Sequence, residues 1–197
     1  MPRCLVAPMP KKMKRLFIAI KIKPDDAFMQ QFRELKEALK HESIKWVEEH
    51  NIHITLKFLG ETEEAVIPAI GEALHAVAGR TKPFRFSLEG LGIFGSKYEP
   101  RVLWTAITPY DTLASLMQSV HDAVEPLGFE KDRQNLVPHL TLGRIRFLRD
   151  KKMFHETVAD FKGMASPPMT AAGMILFESI LKKEGPEYRM IQAHPFQ

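Results

Sequence analysis

Two short segments carry the residue types from which chemistry can be built. Asn51-Ile52-His53-Ile54-Thr55-Leu56-Lys57-Phe58-Leu59-Gly60 and Val137-Pro138-His139-Leu140-Thr141-Leu142-Gly143-Arg144 both contain His, an apolar residue, Thr and Leu, and their histidines lie 86 positions apart. Imidazoles titrate near neutral pH, so one of a pair can act as base while the other acts as acid. Two hydroxyls can donate to the non-bridging oxygens of a phosphate. The set suits phosphodiester cleavage by in-line attack, with one imidazole deprotonating water and the other protonating the departing oxygen. Neither segment contains a carboxylate.

Side chains alternate along a strand. His53, Thr55 and Lys57 are therefore expected on one face, with Ile54, Leu56 and Phe58 on the core face. In the second segment His139 and Thr141 share a face, while Leu140 and Leu142 enter the core. Lys57 could then offset phosphate charge or stand solvated at a cleft rim. Arg144 falls on the opposite face from His139 and reaches the cleft only through a bulge or twist. Phe58 is read as core, with base stacking as its other use. Beyond the second motif, Arg144, Arg146, Arg149, Lys151 and Lys152 form a basic run with one acid, Asp150; such runs are usually solvated surface, but this one directly follows the motif and offers a contact for a phosphate backbone. Packing has no reason to repeat both polar residues, so the duplication favours a catalytic reading over a structural one. His41, His50, His75, His121, His155 and His194 lack this context and are read as surface or structural. Two histidines are too few for a structural zinc site, and no metal is expected.

The surrounding pattern must place the two segments on strands. A strand is expected at 15–22. A helix should run from Pro24-Asp25-Asp26 to about Lys40, with Phe28, Phe32, Leu35 and Leu39 on one face. Further strands are expected near Ile44–Val47, at Asn51–Leu59, at 84–94, at 101–107 and at Pro138–Ile145. Thr62 is a candidate N-cap for a helix to about Ala78, which Pro68 would kink or delay. A helix from Leu113 should stop at Pro126 and Gly128, and a shorter one is expected near 150–161. Strands at about 170–181 and 187–193 close the chain. The mixture lacks a strict βαβ rhythm and indicates an α+β fold with mainly antiparallel sheets.

Composition narrows the class without naming the function. The 197 residues are 45% hydrophobic and 26% charged, values of a globular chain. The formal charge of +4 is concentrated in Arg3, Lys11 and Lys12, because the remainder carries 25 basic and 24 acidic residues. Net charge is thus no argument for a basic face. Residues 1–12 are read as a disordered extension, with Met13 as a natural start. They lack a signal-peptide core. No apolar run reaches the ~20 residues of a membrane helix. The lone Cys4 excludes an internal disulfide and suits a reducing, cytoplasmic setting.

The ordered set of segments resembles the two-histidine phosphoesterase superfamily, and within it the LigT-like RNA 2′,3′-cyclic phosphodiesterases once named 2′-5′ RNA ligases. The resemblance rests on Arg15 to Ile20, Trp46, His53 to Gly60, Pro100 to Trp104, Pro138 to Arg144, and Gly185-Pro186-Glu187-Tyr188. It implies two pseudo-symmetric lobes, roughly 13–105 and 106–197, with the termini able to cross between them. Each lobe would be a small antiparallel sheet backed by helices, facing a central cleft. It implies His53 and His139 as the acid–base pair and Thr55 and Thr141 as phosphate holders. The implied reaction is hydrolysis of an RNA 2′,3′-cyclic phosphate to a 2′-phosphomonoester without metal or nucleotide cofactor; a monomer is expected. Partners would be RNA ends, tRNA halves among them, and not a membrane. Ligation through a 2′-5′ bond is the same step reversed. The working order of roles is His139 as base toward water and His53 as acid toward the 3′-oxygen. The alternatives are the same chemistry on a small cyclic nucleotide, or a non-catalytic module that binds RNA ends.

Overall fold

A computed structural model describes residues 12–96, 98–130, 137–183 and 185–197. The extension read at 1–12 lies outside them apart from Lys12, whose carbonyl accepts from Glu64 N at 2.9 Å. The described chain runs β1 (Met13–Lys21), α1 (Asp26–Ala38), β2 (Ser43–Trp46), β3 (His53–Glu63), α2 (Ile67–Ala78), β4 (Phe84–Gly95) and β5 (Pro100–Thr108). It continues α3 (Tyr110–Val124), β6 (His139–Phe147), α4 (Lys151–Asp160), β7 (Met169–Ala171), β8 (Gly173–Leu181) and β9 (Pro186–Pro195).

The strands form two antiparallel sheets, ordered β3-β1-β8-β9 and β2-β6-β5-β4-β7. The α+β class, the two lobes and the antiparallel sheets are as expected. The sheets do not divide the chain at residue 105, however. Strands β4 and β5 join β6, while β8 returns to flank β1 and β9 pairs with β8, a crossing of the C-terminal segment that the sequence reading allowed. The strand expected over 170–181 is two strands: β7 completes the second sheet and β8 enters the first.

Burial explains these assignments. Strand β1 is central in its sheet, so its run Leu16-Phe17-Ile18-Ala19-Ile20 is buried on both faces. Leu16, Ile18 and Ile20 enter the main core, whereas Phe17 and Ala19 pack with Phe177 on the other face. Asp25 caps α1 by accepting from Phe28 N at 3.1 Å. Phe28, Phe32 and Leu35 of this helix are buried, and Phe32 meets Trp46 of β2 edge-on at 5.8 Å. Helices α2 and α3 pack on each other, α2 against β8 and β9, and α3 against β3. Pro68 delays the second helix as expected. Thr62 does not cap it, because β3 runs on to Glu63 and buries Thr62, and α2 begins only at Ile67. Helix α3 ends in a short 3₁₀ turn at Glu125–Leu127, closed by Gly128 at φ 95°, a left-handed position that glycine adopts without strain.

Candidate active site

The two motif strands share a bulge at the same place after the threonine. Ala19 pairs with Thr55 and Ile18 with Lys57, so Leu56 is an extra residue in β3. Trp104 pairs with Thr141 and Leu103 with Gly143, so Leu142 is the extra residue in β6. A bulge turns every later side chain to the other face. Both residues at each bulge, Leu56-Lys57 and Leu142-Gly143, are consequently buried, and the next residues, Phe58 and Arg144, are exposed.

The alternation expected for this region therefore fails after the threonines. Arg144 reaches the cleft with His139, through a bulge as the sequence required. Phe58 is not core; it is 49% exposed and lines the cleft. Lys57 is not an exposed rim residue, for it is 3% exposed and donates from Nζ to Glu130 O at 2.7 Å. It borders the cleft from beneath. Glycine at the equivalent position in β6 has a local cause. A Cβ on Gly143 would lie 2.7 Å from Ile44 Cγ2 and 3.0 Å from Trp46 Cε3, because β2 covers that side.

A cleft of about 1140 Å3 brings together His53, Thr55, His139, Thr141, Arg144 and Tyr188, with Phe58 and Phe94 at its walls. Each imidazole is held the same way. His53 Nδ1 lies 2.6 Å from Asn51 O, and His139 Nδ1 lies 2.7 Å from Val137 O. A carbonyl oxygen can only accept, so each Nδ1 carries a proton and donates it there, leaving Nε2 for chemistry. Asn51 is itself fixed, since its Nδ2 donates to Pro186 O at 3.0 Å at the start of β9.

Aromatic walls complete the two sites. His53 sits 5.1 Å from Phe17 and 5.2 Å from Tyr188, the latter edge-on. His139 sits 4.8 Å from Phe94 and 6.0 Å from Trp104. Burial in these settings lowers both imidazole pKa values from the ordinary range, and the bonds to Asn51 and Val137 oppose it. The positive charge of Arg144 lowers both further; Lys21 and His139 add to the effect on His53. Burial also raises the phenol of Tyr188. The hydroxyls of Thr55 and Thr141 make no hydrogen bond to the described residues and remain available to a ligand.

The sequence reading missed Tyr188, Phe17, Phe94 and Trp104 as parts of the site. Phe17, Trp104 and Tyr188 lie in segments that carry the resemblance but had no site role, and Phe94 had no signal; the four come from four other strands. Among the described residues, no group of three or more His, Cys, Asp or Glu is arranged to hold a metal ion. No helix of the described residues is long and apolar enough to cross a membrane.

Comparison with known proteins bears on the same strands. The sequence model of a family described as LigT like Phosphoesterase matches residues 20–104 and 107–188. An RNA 2′,3′-cyclic phosphodiesterase of Methanocaldococcus jannaschii is 32% identical over 179 residues, spanning 90% of this chain and 98% of that protein. One of Archaeoglobus fulgidus is 34% identical over 176 residues, spanning 89% and 96%. The crystal structure of TT0787 of Thermus thermophilus superposes with a TM-score of 0.76 at 24% identity, covering 92% of this chain and 97% of that one. The matched residues hold both motif strands, β3 and β6, and the chain belongs to the LigT like phosphoesterase family.

Proposed function

We propose that this chain is an RNA 2′,3′-cyclic phosphodiesterase, with residues 13–197 acting as one catalytic unit that takes one histidine from each sheet. The observation that carries the reading is the matched anchoring of His53 and His139, each Nδ1 donating to the carbonyl two residues before it. That anchoring gives two basic Nε2 atoms at one cleft, as a step needing both proton removal and proton delivery requires. The names of the relatives from Methanocaldococcus jannaschii and Archaeoglobus fulgidus support the substrate class.

In the proposed reaction the cyclic phosphate lies between the two imidazoles. Thr55 and Thr141 donate to its non-bridging oxygens, and the Arg144 guanidinium offsets its charge. One neutral imidazole takes a proton from water as the water oxygen bonds to phosphorus. The bond from phosphorus to the 3′-oxygen breaks, and the second, protonated imidazole delivers its proton to that oxygen. The product is a 2′-phosphomonoester. The working order keeps His139 toward water and His53 toward the 3′-oxygen. Ligation is the reverse step with a ribose hydroxyl in place of water. Lys57, turned below the cleft, anchors β3 to the segment at Glu130 rather than touching phosphate.

The test is turnover of a short RNA ending in a 2′,3′-cyclic phosphate, with EDTA present and the product identified. The expected result is a 2′-phosphate formed at a rate the chelator does not change. A 3′-phosphate product, loss of activity on chelation, or no turnover of any 2′,3′-cyclic phosphate would overturn the reading. Turnover confined to free cyclic nucleotides would assign the same chemistry to a smaller substrate.

A further inference from the structure

The duplicated motif allows the two walls of the cleft to be compared at equal distance from each histidine. Past His53, β3 continues through Phe58 and Gly60 to Glu61 and Glu63, with Glu64 just beyond its end. Past His139, β6 carries Arg144, Arg146 and Phe147, and the chain beyond it holds Arg149 and then Lys151 and Lys152 at the start of α4. Strands of the same design thus leave the site with opposite charge. The acidic wall is also partly neutralised. Arg15 of β1 lies opposite Glu61, and Lys14 pairs with Glu64 at 3.7 Å and with Glu178 at 3.3 Å.

The basic wall is organised by strand register. Lys45 of β2 lies directly opposite Arg144 of β6, so the two share a face. Alternation across the half-buried Ile145 gives Arg146 that same face, and the register shift that leaves Arg146 as an extra residue between Ile145, opposite Ile44, and Phe147, opposite Ser43, keeps Phe147 on it as well. Arg144 and Arg146 are two residues apart, about 7 Å along a strand, the scale of successive phosphates in an extended single strand. Among the described residues none of Lys45, Arg144 and Arg146 pairs with a carboxylate, whereas Arg33 and Arg101 are paired with Glu49 and Glu99. Glu42, beside this edge, is turned inward and accepts from the backbone N–H groups of Arg149 and Asp150. Phe147, next to Arg146, is 63% exposed. Cations in line with an exposed aromatic ring are what a sequence-tolerant site for single-stranded nucleic acid needs, since every base has a face that stacks.

We propose that the RNA leading to the reacting end leaves the cleft over the β2–β6 edge, its phosphates against Arg144, Lys45 and Arg146 and a base on Phe147. The inference rests on the reading of the cleft as a cyclic phosphodiesterase site and adds the direction of the chain outside it. The track is short and carries few charges, so it favours an oligomer over a mononucleotide without demanding a sequence.

The experiment compares wild type, the Lys45→Ala/Arg146→Ala double variant, Phe147→Ala, and a Glu61→Gln/Glu63→Gln control. Each is assayed on a short RNA with a 2′,3′-cyclic end and on a 2′,3′-cyclic mononucleotide. Binding of the same RNA ending in a 2′-phosphate is titrated against salt by fluorescence anisotropy. The double variant should lose about tenfold in kcat/KM on the oligomer and stay within about twofold on the mononucleotide. Its slope of log affinity against log salt should shrink by about 0.7 for each of two lost phosphate contacts. Phe147→Ala should lose oligomer affinity with the slope intact, and the control should match wild type. An unchanged slope and oligomer preference in the double variant, or an effect of the control equal to that of the double variant, overturns the track. If wild type turns over neither substrate while its binding slope still falls in the double variant, the track stands and the reading of the cleft fails.

Discussion

Phe58 and Arg144 occupy the same position in two copies of one design. Each follows its motif histidine by five residues, each pairs with a strand through an equivalent register (Phe17 for Phe58, Val102 for Arg144), and each is turned into the cleft by a bulge just before it. The copies have taken different chemistry at that place. One supplies an apolar ring, and the other a cation that acts on both imidazoles.

The cation sets two measurable quantities. Arg144→Gln should lower kcat/KM by about 10²-fold, the usual scale for losing one donor to a developing phosphate charge. The same charge now disfavours imidazolium at both His53 and His139. Its removal should therefore raise both apparent pKa values and move the pH–rate profile upward. A profile left in place would dissociate Arg144 from the imidazoles.

The pH optimum follows from burial. The proposed acid–base pair needs one imidazolium and one neutral imidazole. Desolvation lowers both free-enzyme pKa values below the ordinary value of about 6.5. Above that range both rings are neutral and the acid is missing; below it both are charged and the base is missing. The bell in kcat/KM should accordingly centre below pH ~6.5. A bound anionic phosphate favours imidazolium, so the bell in kcat should lie at higher pH. Coincident profiles, or a kcat/KM optimum above neutrality, would contradict the electrostatics of the site.

The first bulge has a buried support whose loss is also measurable. His121 of α3 is 1% exposed, and its Nε2 lies 3.1 Å from the carbonyl of Leu56, the extra residue of β3. The carbonyl accepts, so Nε2 donates. His121→Ala should destabilise the fold by about 1–3 kcal/mol, the cost of leaving a buried acceptor unpaired. His121→Gln, whose amide can donate from a similar place, should recover much of it. Denaturant unfolding of the three proteins checks this, and equal losses in both variants would remove the hydrogen bond from the account.

How much of this was legible depended on how local each signal was. The His-x-Thr pairs, the faces of the two histidines and threonines, and the helix opened by Asp25 follow from short-range periodicity and appear as expected. The bulges had a trace in the sequence as well. The apolar row runs Ile54, Leu56, Leu59 in one strand and Leu140, Leu142, Ile145 in the other, where a spacing of three replaces two. Strict alternation overrode that trace and misplaced Phe58 and Lys57. What could not be read was non-local. Nothing near Ala172 announces that β7 and β8 belong to different sheets, and Tyr188 comes beside His53 only because β9 returns past β8.

The pairing of His53 with His139 as acid and base is tested most directly by changing the leaving atom. RNA ending in a 2′,3′-cyclic phosphate is compared with the same RNA carrying sulfur in place of the bridging 3′-oxygen, since a thiolate departs without a proton. On the oxygen substrate, His53→Ala and His139→Ala should each lose about 10²–10⁴-fold in single-turnover rate. On the sulfur substrate, the variant lacking the acid, His53 in the working order, should regain most of the wild-type rate while the other does not. Recovery by His139→Ala instead would exchange the two roles. Near wild-type rates for either variant on the oxygen substrate, or rescue of neither by sulfur, would contradict the two-histidine account.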